Sequence, residues 1–182
     1  MNAILKGVRP LDYVLAGLMT VAGALLMYEN IAAGPDADVA HAISSHSWLM
    51  VPVFVLVTLP ILWRRRGVLA VVGVTALATV VHVLAFGWIT RCGVELPLTF
   101  ALAYAVARFA GTWRNHAIGL AGIVVVQIVL LARDASIDRI ISALPLALPI
   151  TALFYGIGLL VQNRVSKRQS AAVAPVVERA AA

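Results

Sequence analysis

Six apolar runs, each near the length a helix needs to cross a bilayer, divide the chain. A spanning helix takes about 20 mostly apolar residues, because it must satisfy its own backbone hydrogen bonds through about 30 Å of hydrocarbon. The runs cover residues 11–33, 47–63, 67–89, 94–113, 117–132 and 140–162. Composition agrees with this division. Hydrophobic residues make up 62% of the 182 positions and charged residues 12%, against about 45–50% and about 25% in soluble domains. A water-exposed fold of this size cannot hide so much apolar surface, so lipid is part of its solvent. The expected fold class is therefore all-α, a polytopic membrane bundle of about six transmembrane helices. The second and fifth runs are the shortest. They span if residues 43–47 extend the one and Arg114 and Arg133 snorkel at the ends of the other.

Net charge is +6, which raises nucleic acid as a partner. The placement of the charges argues against it, because Lys and Arg sit in small groups between the apolar runs rather than along one groove. That pattern orients a membrane protein. With the N-terminus inside, Lys6, Arg9, Arg64, Arg65, Arg66, Arg108, Arg114, Arg164, Lys167, Arg168 and Arg179 lie on the cytoplasmic side, 11 of the 14 basic residues. Arg91, Arg133 and Arg139 lie outside with six of the eight acids, Glu29, Asp36, Asp38, Glu95, Asp134 and Asp138. This asymmetry follows the positive-inside rule and predicts an N-in, C-in protein of the cell membrane. The first run reads as a retained helix rather than a signal peptide. Its apolar stretch exceeds the usual 7–15 residues, and the cleavage-like Ala40-His41-Ala42 lies well beyond its end.

Residues 1–162 form the expected transmembrane domain and 163–182 a short cytoplasmic tail, with Pro175 expected to interrupt any helix continuing from the sixth span. The loops are too short for a folded ligand-binding domain, so any recognition falls to loops, lipid-facing surface or the bundle interior.

Ionisable residues inside the bilayer are costly and are read first for function. Asp12 at the start of the first span and Arg108 near the inner end of the fourth fall at similar depth, which makes them a candidate ion pair of structural or switching kind, the alternative being two interfacial charges solvated separately. His82 is deep in the third span with no acidic or histidine partner evident at its depth, and reads as a packing histidine bonded to a backbone or hydroxyl group. His41 and His46 share the external loop with Asp36 and Asp38, but their spacing carries no metal-ligand pattern and they read as solvated. Arg64-Arg65-Arg66 is the densest basic cluster, a topological stop that touches anionic headgroups, with docking of a cytoplasmic partner the other reading.

Pro52 and Pro60 in the second span, and Pro145 and Pro149 in the sixth, predict kinks that serve packing or a hinge. Gly119, Gly122, Gly156 and Gly158 mark expected close helix approaches. Trp48, Trp63, Trp88 and Trp113 stand near span ends as interfacial anchors. Phosphate loops, HExxH, GxSxG and dinucleotide fingerprints are absent from the sequence, and no acid, base and nucleophile set stands out. One cysteine, Cys92, excludes an intramolecular disulfide or a cysteine-based metal cluster. No catalytic, cofactor-binding or metal-ligating residue is assigned.

Several short motifs resemble the N-terminal membrane domain of actinobacterial sensor histidine kinases. They are Arg9-Pro10-Leu11-Asp12 with Leu15-Ala16, then Leu62-Trp63-Arg64-Arg65-Arg66, Leu69-Ala70, Ala103-Tyr104 with Ala107-Arg108, and the stretch from Gly158 to Arg168. The likeness extends over nearly the whole chain. It departs at Gly67-Val68, where the family usually has a proline, and at Ala182, where those kinases continue into a dimerisation helix, a phospho-accepting histidine and an ATP-binding domain. Val177-Glu178-Arg179-Ala180 is similar to part of a linker helix. The resemblance implies a non-enzymatic, sensor-like or regulatory membrane domain whose output comes from a partner. The expected partners are membrane lipids and a cytoplasmic or membrane-bound histidine kinase, with self-association left open and no nucleic acid. The alternative is a small transport component, such as the substrate-binding membrane subunit of a vitamin importer, which has a similar length and six helices.

Overall fold

A computed structural model describes residues 7–34 and 37–181, with side chains as far as Gln169. Lys6 and Asp36 and the side chains of Glu178 and Arg179 lie outside the described residues. Among the described residues six helical segments follow one another: α1 (Pro10–Ala32), α2 (Met50–Thr58, prolonged by a 3-10 turn Leu59–Trp63), α3 (Val68–Phe86), α4 (Cys92–Phe109), α5 (Trp113–Leu131) and α6 (Ile140–Ala181). No strand forms among the described residues beyond one isolated bridge between Ile89 and Asp134. Five of the helices are long and apolar enough to cross a membrane, and Met50–Trp63 is a shorter apolar helix beside them. The chain is thus a multi-pass, all-helical membrane bundle.

Each helix starts and stops for local reasons. Pro10 occupies the first turn of α1, where its missing N–H costs nothing. The Asp12 carboxylate accepts the Arg9 backbone N–H at 3.0 Å and so closes that end. Gly87, at φ +64°, ends α3 in a conformation open chiefly to glycine. Thr112 caps α5 by accepting the Asn115 N–H, so this helix begins four residues earlier than the apolar run predicts and reaches a full spanning length. The second run stays short, because its last residues tighten into a 3-10 turn at Pro60.

Helix α4 is the centre of the bundle. Half of its apolar window is buried, against 17% for α6 and 22% for α1, and it packs on α1, α3, α5 and most extensively on α6. Small residues let these helices approach. A Cβ at Gly122 would stand 2.6 Å from Val72, and one at Gly158 would stand 2.8 Å from the Tyr104 carbonyl oxygen. Gly156 faces open space; it is two residues from Gly158 and hence on another side of the helix.

The expected break at Pro175 does not occur, since α6 is helical to Ala181. A proline forfeits its own N–H bond and bends a helix without preventing its resumption, and here alanines, the best helix formers, flank it on the N-terminal side. The same applies to Pro145 and Pro149, both inside α6, and to Pro97 inside α4.

Candidate functional site in the bundle interior

The end of the bundle where α1 begins is proximal, and the opposite end distal. At the proximal end Asp12 is fully buried, so it is not the separately solvated charge of one reading, and its partners are not the Arg108 of the other. Its Oδ1 accepts from Arg64 Nε at 3.0 Å and Nη2 at 2.8 Å, and its Oδ2 accepts from Arg65 Nε at 2.7 Å. The reason is placement. The start of α1 packs on the 3-10 turn of α2, which brings the following arginines to Asp12 first. Arg65 and Arg108 both lie over the Phe109 ring, 5.1 and 5.6 Å from its centroid. Arg108 makes no hydrogen bond or ion pair among the described residues, and its Nε is buried without a partner. Two members of the basic cluster are thus structural partners of one carboxylate, while Arg66 is exposed.

The larger concentration of buried polar groups lies toward the distal end, where the charge count placed Arg91, Glu95 and Asp134 on the outer side. Arg91, which precedes α4, has no solvent exposure. Its Nη1 donates to the carbonyls of Arg133 at 2.7 Å and Ile89 at 3.3 Å, and its Nη2 to those of Gly87 at 2.8 Å and His82 at 3.5 Å. Its Nε donates to His82 Nδ1 at 3.0 Å. The five guanidinium donors are therefore spent on three chain segments that converge here. Burial draws Arg91 down to about 10, with Glu95 and Asp134 pulling it back up, so it is charged at neutral pH.

That contact fixes the state of His82. With Nδ1 accepting from Arg91, the proton is on Nε2, which faces the Met50 carbonyl at 3.4 Å on α2. The backbone partner matches the expected packing role; the guanidinium partner was not foreseen. The His82 ring also packs against Phe54 and Phe86.

Asp134, equally buried, holds the start of α4. Its Oδ2 accepts the backbone N–H groups of Arg91 at 2.7 Å and Cys92 at 2.6 Å, and its Oδ1 accepts from Ser136 N and Oγ. A carboxylate on the first free N–H groups of a helix satisfies donors that have no intrahelical partner and complements the helix dipole.

From Arg91 a polar stripe runs down one face of α4 at four-residue spacing. Glu95, fully buried, accepts from Thr79 Oγ1 of α3 at 2.8 Å through Oε1, while its Oε2 has no hydrogen-bond partner among the described residues. Thr99 lies one turn further, about 10 Å from the start of the helix at 1.5 Å per residue. It accepts from Gln127 Nε2 of α5 at 2.9 Å, and Gln127 also donates to Thr151 Oγ1 of α6 at 2.6 Å. Both threonines return their own protons to backbone carbonyls, Leu96 and Ala147. One buried amide therefore ties α4, α5 and α6 together, and its Oε1 is left open.

Loops close the distal end. Asn30 bonds Thr90 twice, through Nδ2 to its carbonyl and Oδ1 from its N–H, which pins the 87–91 turn to α1. His41 donates to the Asp138 carbonyl and stacks on Trp88, which Arg133 also covers. His46 donates to the Asn30 carbonyl. Both histidines fasten loops while keeping the exposure expected of them, His46 being exposed and His41 partly so. Among the described residues no three His, Cys, Asp or Glu side chains gather closely enough to hold a metal ion.

Sequence reasoning missed this interior, although it left a signal. Arg91, Glu95 and Thr99 recur every four residues, and so do Thr75 and Thr79 with His82 three further on, each set marking one helix face. The arrangement comprises a charged node at the distal end, a carboxyl with one oxygen unpartnered among the described residues, and an amide bridging to α6. No family model, curated protein or solved structure matches the chain.

Proposed function

We propose that the chain is a non-enzymatic input domain of the cell membrane, N-in and C-in, that passes a change in its distal half to a histidine kinase partner through α6. The observation that carries this reading is the continuity of that helix. It runs for 42 residues, about 63 Å at 1.5 Å per residue, roughly twice the depth of the hydrocarbon core. At one end Thr151 joins it to the buried amide of Gln127. At the other it carries Arg164, Lys167 and Arg168 beyond the apolar part. A helix anchored in a polar junction and projecting past the bilayer can hand a small rotation or shift to a partner. The motifs of the proximal half, Asp12 and Arg64-Arg65 above all, are those on which the resemblance to kinase membrane domains rests.

Purification of the tagged chain from its native membrane in mild detergent, with mass spectrometry of proteins and small molecules, tests this. A histidine kinase in stoichiometric amount is the expected outcome. An ATPase complex with a bound small molecule would replace the reading with the transport one.

A further inference from the structure

We propose that the outer wall of α2 and α3 is a binding site for one anionic phospholipid, its acyl chain in an apolar groove and its phosphate at Arg66. The groove has two contiguous stretches, of about 360 and 430 Å³, which share Pro60, Trp63 and Val74. The deeper stretch is walled by Val53 and Leu56 of α2 and by Leu77 and Val81 of α3. The proximal stretch passes Ala70 and Gly67 and ends at Arg66.

The groove exists because of how this corner of the bundle is built. At 14 residues, Met50–Trp63 is too short to cover about 30 Å of hydrocarbon. Its 3-10 end is also slimmer than an α-helix. Opposite it stand Gly67, just before α3, and Ala70 and Ala78 of that helix, which leave a furrow between the two elements. Along α3 the furrow runs from Gly67 to Val81, about 21 Å at 1.5 Å per residue, enough for the depth of one leaflet.

Chemistry selects the occupant. Leu56, Val74 and Leu77 are more than half exposed, which gives an acyl chain an open apolar wall to lie on. Charge is confined to the proximal end, at headgroup depth, where Arg66 is joined by Arg64 and Arg65 in sequence. Asp12 takes the guanidinium groups of those two, so its carboxylate is already neutralised at this corner. A neutral lipid would fill the furrow equally well but would gain little from the arginine, whereas an anionic one gains both contacts.

The test uses the whole chain with Trp48, Trp88 and Trp113 replaced by Phe, so that Trp63 in the groove wall is the sole fluorophore. It is reconstituted in phosphatidylcholine vesicles with phosphatidylglycerol or phosphatidylcholine carrying the same dibrominated chains. Quenching should give phosphatidylglycerol about a fivefold advantage, as expected for one arginine at a headgroup. Arg66→Gln should bring that advantage to about one, and excess inorganic phosphate should leave it in place. Equal quenching by the two lipids, or a preference that Arg66→Gln leaves intact, would overturn the proposal. Loss of the preference to inorganic phosphate would overturn it in favour of a free-anion site. Native mass spectrometry of the unsubstituted chain gives a second reading that does not depend on the tryptophan replacements. Preferential retention of one phosphatidylglycerol supports the site, and equal retention of both lipids contradicts it.

Discussion

At the scale of single residues, the two ends of the bundle make different demands on their charges. Arg91 is the node of the distal end, and its removal would leave His82 Nδ1 and the Gly87 and Arg133 carbonyls without their donor. Arg91→Met should therefore cost about 3–5 kcal/mol in reversible unfolding from detergent micelles, because buried acceptors would stay desolvated and unpaired. Arg91→Lys keeps the charge but not the planar fork, and should recover only part of the loss. At the proximal end Asp12 accepts from two guanidinium groups, so Asp12→Asn should cost about 1–3 kcal/mol. Arg108→Gln, which breaks no ion pair, should stay within about 0.5 kcal/mol. Equal losses at Asp12 and Arg108 would contradict the pairing described above. Sequence alone placed Asp12 and Arg108 at similar depth, and in the structure Asp12 is bonded to Arg65, which shares the Phe109 ring with Arg108. It could not rank Arg108 against Arg64 and Arg65, because depth fixes height along the bundle normal and leaves position around it open. The burial of Arg91, Glu95 and Asp134 was not legible in the sequence for another reason. Hydropathy treats charge near a span end as solvated, whereas here loops fold over the end and bury it.

At the scale of elements, apolar length was a good guide and helix ends were the weaker part. All six segments arise where the apolar runs lie, since the backbone has no other way of satisfying itself in lipid. The boundaries moved where side chains act on them: Thr112 began α5 early, and Pro60 turned the end of α2 into a 3-10 turn. Packing was partly legible from small residues. Gly122 and Gly158 mark real crossings while Gly156 does not, a distinction set by helix rotation rather than by composition. The α4–α6 crossing is the one most exposed to this kind of change. A side chain at Gly158 meets the backbone of Tyr104, which cannot swing aside. Gly158→Leu should therefore destabilise the bundle by about 1–3 kcal/mol in the same unfolding assay, whereas Gly156→Leu should leave it near the parent value.

At the scale of the whole molecule, the charged distal node, the α4 stripe, the Gln127 bridge and the length of α6 form one physical line. Orientation gives that line its direction. Asp138 is exposed at the distal end, so Asp138→Cys in a Cys92→Ser background should react with a membrane-impermeant maleimide in intact cells. Labelling only after lysis would reverse the topology. The most direct measurement of the central claim asks whether α6 transmits. The chain is joined after Gln169 to the dimerisation and catalytic domains of a histidine kinase, with zero to seven alanines inserted at the junction, and autophosphorylation is measured in vesicles. Transmission through a continuous helix should make output rise and fall with a period of about 3.5 residues, and Gln127→Leu, which removes the bridge to Thr151, should flatten or shift that pattern. Output independent of insertion length, and unchanged by Gln127→Leu, would contradict the claim that α6 carries a signal out of the bundle.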